Sequence, residues 1–417
     1  MSEPRPISFD APLGQRIIEL HVWAVREGLL GTAAAELFDG FCQQLVVGDL
    51  PLWRASATMR TLHPQWGGYS YLWRRDLNAI EPSQFERGEN RQVWLTSPFA
   101  YLVAQAEAGG GNHLPWLHLR RRLSGPEALL DFPVLEELAG AGGTDYFAQI
   151  VRFGPEGDAS RGTGIAYSFT TDCREGFSED DLTLLRAVLP ALSLAMMTHA
   201  GHTIASGLLA AYLGGDAGRR VHAGAVERGS VESMRAVLWF ADMRGFTKLA
   251  DSTPGREVIE LLDDVFETLT APLRSRGGQV LKFMGDGMLA IFPLAETQAE
   301  TCRNAIDAAS EAMHALDRVN RARAEASKPV VEVDLALHMG EVLYGNVGAA
   351  DRLDFTVIGP AVNEAARIET LCEPLGRKVL VSAEFAAAAG SCNGLHPLGH
   401  HRLRGVRELR AIYGLDV

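Results

Sequence analysis

Residues 236–247 read AVLWFADMRGFT, and their punctuation decides how the second half of the chain folds. Ala236 to Ala241 is an unbroken apolar run of strand length. It ends in Asp242, a carboxylate that is costly beside a buried strand unless it is paired or bound to a cation. Gly245-Phe246-Thr247 then turns the chain toward a helix over Glu257–Leu273. Free N–H groups at a helix start attract anions, phosphate among them. Alone, a strand-end Asp is more often a turn or cap residue.

Two further stretches change that balance. Residues 280–292, VLKFMGDGMLAIF, read as two strands joined at Gly285-Asp286-Gly287, and Asp-Gly between apolar runs is a strong hairpin signal. The hairpin tip would hold Asp286 beside the end of the first strand. Paired carboxylates on neighbouring strands suit hard dications with oxygen ligands, Mg²⁺ or Mn²⁺. In Asn363-Glu364-Ala365-Ala366-Arg367, the amide and the guanidinium sit at i and i+4 on one helix face. Aimed together they can hold charge developing on a phosphoryl group. Singly, Asp286 fits an ordinary turn and Asn363 and Arg367 a solvated helix start.

The rest of the chain bounds these readings. Its 417 residues suggest two or three domains, and 39 basic against 52 acidic residues give a net charge of −13. Such a chain is a poor match for nucleic acid or an anionic membrane surface, so neither is expected as a partner. Phosphate chemistry would rest on local cations. Cys42, Cys173, Cys302, Cys372 and Cys392 are scattered and odd in number, which argues against a disulfide framework or structural zinc and for a reducing cytoplasm. The opening MSEPRPISFD lacks a secretory pattern. Leu184–Met197, interrupted by Arg186 and Pro190, reads as a buried helix, not a membrane span.

The chain divides near residues 200–232. Before it, Ile17–Leu45 reads as one long amphipathic helix. Strands are expected at Leu52–Arg60 and Tyr69–Arg74, around a turn at His63-Pro64-Gln65-Trp66-Gly67-Gly68, and at Gln92–Leu102 with Pro98 as an interruption. A helix at about Ala128–Leu138, strands at Asp145–Phe153 and Thr163–Thr170, and a helix from Ser178 to about His199 follow. Arg120-Arg121-Arg122 reads as solvated surface. The tryptophan-rich first part fits a core better than a ligand pocket, and His113 and His118 are poorly spaced for a metal or haem. Residues 167–196, YSFTTDCREGFSEDDLTLLRAVLPALSLAM, resemble the last strand and closing helix of GAF-type sensor domains. Residues 1–200 are thus expected to be a GAF/PAS-like regulatory domain for an unidentified small molecule, with 201–232 as a transducing connector.

From residue 233 onward, five blocks in order resemble the catalytic domain of class III nucleotidyl cyclases: FADMRGFT, VLKFMGDGMLAIF, ALHMGEVLYGNVG, DFTVIGPAVNEAARIE and HRLRGVRELRAIY. The resemblance implies an α+β fold with a ferredoxin-like βαββαβ core over residues 233–417. It implies two Mg²⁺ or Mn²⁺ ions held by Asp242, Asp286 and the Met243 carbonyl. Phe246 and Thr247 would lie in the triphosphate loop, and Lys282 and Thr356 would read the base. Asn363 and Arg367 would be the transition-state pair. Arg404, where the family usually has Lys, would bind the terminal phosphates. Lys282 can donate to adenine N1 and Thr356 can accept from N6, so ATP is the favoured substrate and 3′,5′-cyclic AMP the product. The family places the metal aspartates and the Asn/Arg pair on different subunits, which implies a homodimer with its active sites at the interface. The alternatives are a guanylate cyclase and a catalytically inert nucleotide-binding homodimer. His338 reads as a packed core histidine, and Glu341 receives no chemical role.

Overall fold

The computed structural model describes residues 11–417 apart from 64–65, 78, 90, 109–115, 154–163, 295–296 and 391–393. The N-terminal decapeptide, His113, Cys392 and the Pro64-Gln65 part of the expected turn lie outside the described residues. The chain forms two compact units, Met1–Leu208 and Leu209–Val417, a division that falls inside the expected connector.

In the first unit, α1 (Pro12–Leu30) and α2 (Ala34–Val47) replace the single expected helix. Gly31 takes a left-handed φ of 73° and closes α1, a conformation that side-chain-bearing residues resist. The strands are β1 (Arg54–Arg60), β2 (Trp66–Arg74), β3 (Ala79–Glu86), β4 (Trp116–Arg122), β5 (Asp145–Arg152) and β6 (Gly164–Thr171). The helices α3 (Arg91–Leu95) and α4 (Pro98–Ala108) separate β3 from β4, and α5 (Pro133–Gly140) separates β4 from β5. The long α6 (Glu179–Leu213) follows β6. The sheet order is β3-β2-β1-β6-β5-β4.

Two further expectations fail here. Gln92–Leu102 is helical, because Pro98 starts α4 instead of breaking a strand, and Ser97 Oγ accepts from the Ala100 N–H at 3.3 Å. The arginine run is not solvated surface but strand β4. Arg120 and Arg122 both donate to the fully buried Asp145, at 2.7 and 3.2 Å, and Arg121 pairs with Asp131 at 2.8 Å. The missed β3 holds Pro82, tolerable because β3 is the sheet edge. Trp73 is in the core, whereas Trp94 and Trp116 are exposed. Helix α6 is long and apolar enough to span a membrane by length and composition. Its Leu185, Val188, Leu189, Leu192 and Met196 are buried in the core of the first unit.

The second unit is α+β. After α7 (Gly215–His222) come β7 (Val231–Met243), α8 (Phe246–Ser252), α9 (Gly255–Ser275), β8 (Gln279–Met284), β9 (Gly287–Pro293), α10 (Gln298–Glu325) and β10 (Val333–Gly348). Then follow β11 (Leu353–Ile358), α11 (Pro360–Glu369), β12 (Val379–Ser382), α12 (Ala383–Ala389), β13 (Leu395–Arg402) and β14 (Leu409–Leu415). Leaving aside the short α8, the run β7-α9-β8-β9-α10-β10 has the βαββαβ order, with these strands side by side as β10-β7-β9-β8, all antiparallel neighbours. Strand β7 is buried on both faces, as its apolar run requires. Val237, Trp239, Ala241 and Met243 enter the core under α9 and α10. Ala236 and Leu238 face the opposite side, where Ala361 and Ala365 of α11 and Ala217 of α7 pack.

Candidate active site

Alternation along β7 puts Asp242 on the α11 side of the sheet. Strand β10 lies antiparallel beside it, with Asp334 directly opposite Asp242. The β8–β9 hairpin turns through Gly285-Asp286, one residue earlier than the Asp-Gly signal suggests. Gly285 takes φ 70° at the first central position, where two-residue loops of the II′ type prefer glycine. A Cβ at Gly287 would lie 2.7 Å from Asp242 Oδ1, so glycine is what lets the hairpin close on that carboxylate. The topology thus brings Asp242 and Asp286 together. Burial, and then the charges of Asp286 and Asp334, push Asp242 up to about 6. Every influence on Asp242 works in the same direction, and a set of oxygen donors with uncompensated charge fits a hard dication such as Mg²⁺ or Mn²⁺. The Met243 side chain is buried in the opposite core, leaving only its backbone carbonyl for such a role.

Two carboxyls at this end of the sheet, Asp334 and Glu369, escaped sequence reasoning. Asp334 is paired with Arg244, whose Nε donates to its Oδ2 at 3.1 Å, whose Nη2 donates to its Oδ1 and whose Nη1 reaches Glu332 at 2.5 Å. Burial outweighs that pairing and leaves the Asp334 carboxyl raised as well. Glu369, buried at the end of α11, is pushed up to about 7 by burial and then by Asp242, Asp334 and Asp286. The one available signal for Asp334 was an acid inside the apolar opening of β10, residues 333–337. Nothing local distinguishes Glu369.

Phe246 and Thr247 open α8 after Gly245, which adopts φ 69°. Phe246 anchors the turn against the core while Thr247 is exposed. Lys282 Nζ donates to Asp354 Oδ2 at 3.0 Å, tying β8 to β11. Thr356 lies two residues further along β11 on the same face, buried, and its hydroxyl has no hydrogen-bond partner. An unmatched buried hydroxyl is a standing cost that a ligand can relieve.

Asn363 and Arg367 share one face of α11 and line an open cavity of about 620 Å³. Gly405, Val406, Arg407 and Arg410 form its other wall. Arg404 is exposed and does not line this cavity; its neighbours Arg407 and Arg410, which sequence reasoning passed over, do. Arg410 Nε stands 3.1 Å from Glu364 Oε1 as an ion pair.

Residues 230–410 match the family described as the adenylate and guanylate cyclase catalytic domain. Among curated relatives, an adenylate cyclase of Anabaena cylindrica is 32% identical over 161 residues, 38% of this chain and 31% of that protein. Adenylate cyclase 1 of Rhizobium meliloti is 29% identical over 178 residues, 42% of this chain and 26% of that protein. The chain therefore spans about a third or less of the length of these relatives. A solved bacterial light-regulated adenylyl cyclase is 24% identical, with 55% of this chain and 64% of that chain covered and a TM-score of 0.47.

Proposed function

Since residues 230–410 match the adenylate and guanylate cyclase catalytic-domain family, we propose that this chain converts ATP to 3′,5′-cyclic AMP and pyrophosphate. The observation that carries the reading is the convergence of Asp242 and Asp286 at the end of β7, in the same unit as the Asn363/Arg367 cavity. Asp242, Asp286 and the Met243 carbonyl would hold two divalent ions. When bound, such ions lower the pKa of a sugar hydroxyl and clamp phosphate oxygens.

The chain's own residues supply binding, orientation and charge. The ribose 3′-oxygen attacks the α-phosphorus, the bond to the bridging oxygen breaks, and pyrophosphate leaves. Asn363 orients the ribose. Arg367, four residues on along the same helix face, stabilises the negative charge that builds at the α-phosphate. Arg404 holds the leaving pyrophosphate, and the free amides around Phe246 and Thr247 receive the triphosphate. Lys282 donates to adenine N1, and the unpartnered Thr356 hydroxyl accepts from N6. The two metal carboxylates and the Asn363/Arg367 pair act in opposite subunits of a homodimer. The N-terminal unit, read as GAF-like over residues 1–200, regulates turnover through residues 201–232 by binding a small molecule. The compartment is the cytoplasm, in line with five cysteines that are scattered and odd in number.

Product analysis after incubation with ATP, and separately GTP, in Mg²⁺ and in Mn²⁺ tests this. Cyclic AMP that disappears in Asp242→Ala is the expected outcome. Cyclic GTP-derived product alone would reassign the base, and nucleotide binding without turnover in any condition would sink the enzymatic reading.

A further inference from the structure

His338 sits on β10 four residues beyond Asp334, hence on the same face and about 13 Å further along the strand. Only 4% of it is exposed, and its Nδ1 is buried without any hydrogen-bond partner. A buried imidazole nitrogen left unmatched costs free energy that a folded protein normally recovers. Two carboxylates face His338, with the Arg410 guanidinium also near it. One ligand atom each from His338, Glu364 of α11 and Glu384 of α12 lie within 4.8 Å of one another. Glu364 Oε1 is itself buried without a hydrogen bond, because its 3.1 Å approach to Arg410 Nε is an ion pair of poor angle. Glu384 is exposed, which leaves the cluster open on one side.

The geometry points to a Zn²⁺ site built from His338, Glu364 and Glu384, separate from the Asp242/Asp286 pair. One imidazole nitrogen and two carboxylate oxygens are a familiar zinc donor set, and three protein ligands leave a fourth tetrahedral position for water. Mg²⁺ and Ca²⁺ prefer oxygen alone, so the nitrogen separates this site from the all-oxygen one at the end of β7. Burial, with a smaller downward push from Arg410 and against an upward pull from Glu384, brings His338 down to about 4, so the ring is neutral near pH 7 and offers its lone pair without displacing a proton. Glu364 has two oxygens and can keep Arg410 on one while ligating with the other, the outer-sphere support that metal ligands commonly have. Glu364 and Arg410 also line the cavity that holds Asn363 and Arg367, so the zinc site and that cavity share a wall.

The test is zinc titration of the full chain, stripped of metal, against a chromophoric chelator in millimolar Mg²⁺, which keeps the all-oxygen site occupied. One Zn²⁺ per chain is expected, with affinity falling at least tenfold in Glu384→Gln and in Glu364→Gln. Glu384→His should retain binding, because it restores a ligand at the exposed corner. Co²⁺ should bind with visible absorption of tetrahedral intensity that disappears in Glu384→Gln. Failure to bind Zn²⁺, or binding unchanged in both glutamine variants, overturns the site. Because the readout is binding alone, it succeeds or fails independently of which nucleotide is cyclised.

Discussion

Asp242 and Glu369 carry the clearest consequences for solution behaviour. Their carboxyls are raised to about 6 and about 7, so near pH 6 the metal-free chain holds protons that a dication must displace. Mg²⁺ or Mn²⁺ affinity should therefore fall as pH drops from about 7.5 to 5.5, with proton release on binding. Calorimetry in buffers of different ionisation heat measures both. The same shift has a stability sign. Between the unfolded value near 3.8 and about 6, the folded state binds more protons at Asp242 than the unfolded state. Stability of the metal-free chain should fall as pH rises through that window, and Asp242→Asn should flatten the slope in thermal melts. In the proposed reaction Arg367 differs in kind, because its charge would be useful only when charge develops on the substrate. Arg367→Ala should lower kcat by about 10²–10³ with a much smaller change in KM. A change in KM alone would make Arg367 a ground-state binder instead.

At the scale of elements, α7 is the part of the expected connector that turns out to be structural. Ala217 is buried against the sheet, and Tyr344 of β10 donates to Asp216 at 3.2 Å. Arg220 pairs with Asp216 and Glu232, at 2.8 and 2.7 Å, and stands 5.3 Å from the Tyr344 ring centre. A Cβ at Gly218 would come within 2.7 Å of the Ala210 nitrogen in the last turn of α6, so the two helices meet at closer than side-chain distance. Gly218→Val should force them apart and cost about 1–3 kcal/mol, read as a lowered unfolding midpoint. An unchanged midpoint would mean that the turn between α6 and α7 yields freely. For the same reason, a fragment beginning at residue 225 would lose Ala217 from its core, and one beginning at residue 209 is the sounder test of regulation. If the 209–417 fragment and the full chain respond alike to every candidate small molecule, the regulatory reading of the first unit fails.

For the whole molecule, the proposed division of labour between subunits makes a quantitative prediction. Asp242→Ala and Arg367→Ala chains should each keep no more than about a hundredth of the activity when alone. Mixed and allowed to exchange, half of the dimers would be heterodimers with one intact site each, restoring roughly a quarter of the wild-type sites. No recovery, with exchange verified independently, would mean that both sets of residues act within one chain.

The sequence by itself determined the strand ending at Asp242, the β8–β9 hairpin carrying Asp286 and the helix face shared by Asn363 and Arg367. Each depends on short-range periodicity and turn chemistry, which the local residues dictate. It failed where local signals conflict. Pro98 breaks a strand or starts a helix with equal ease, and only packing chose the helix. Arg120, Arg121 and Arg122 are surface residues by composition and became strand β4 because Asp145 and Asp131 stand opposite them. The acidity of Asp242, the partnering of Asp334 with Arg244, the placement of Glu369 and the facing of His338 by Glu364 and Glu384 were decided by tertiary structure alone. Each arises between residues far apart in the chain, where strand register and helix packing set the distances and burial sets the strength of the charges.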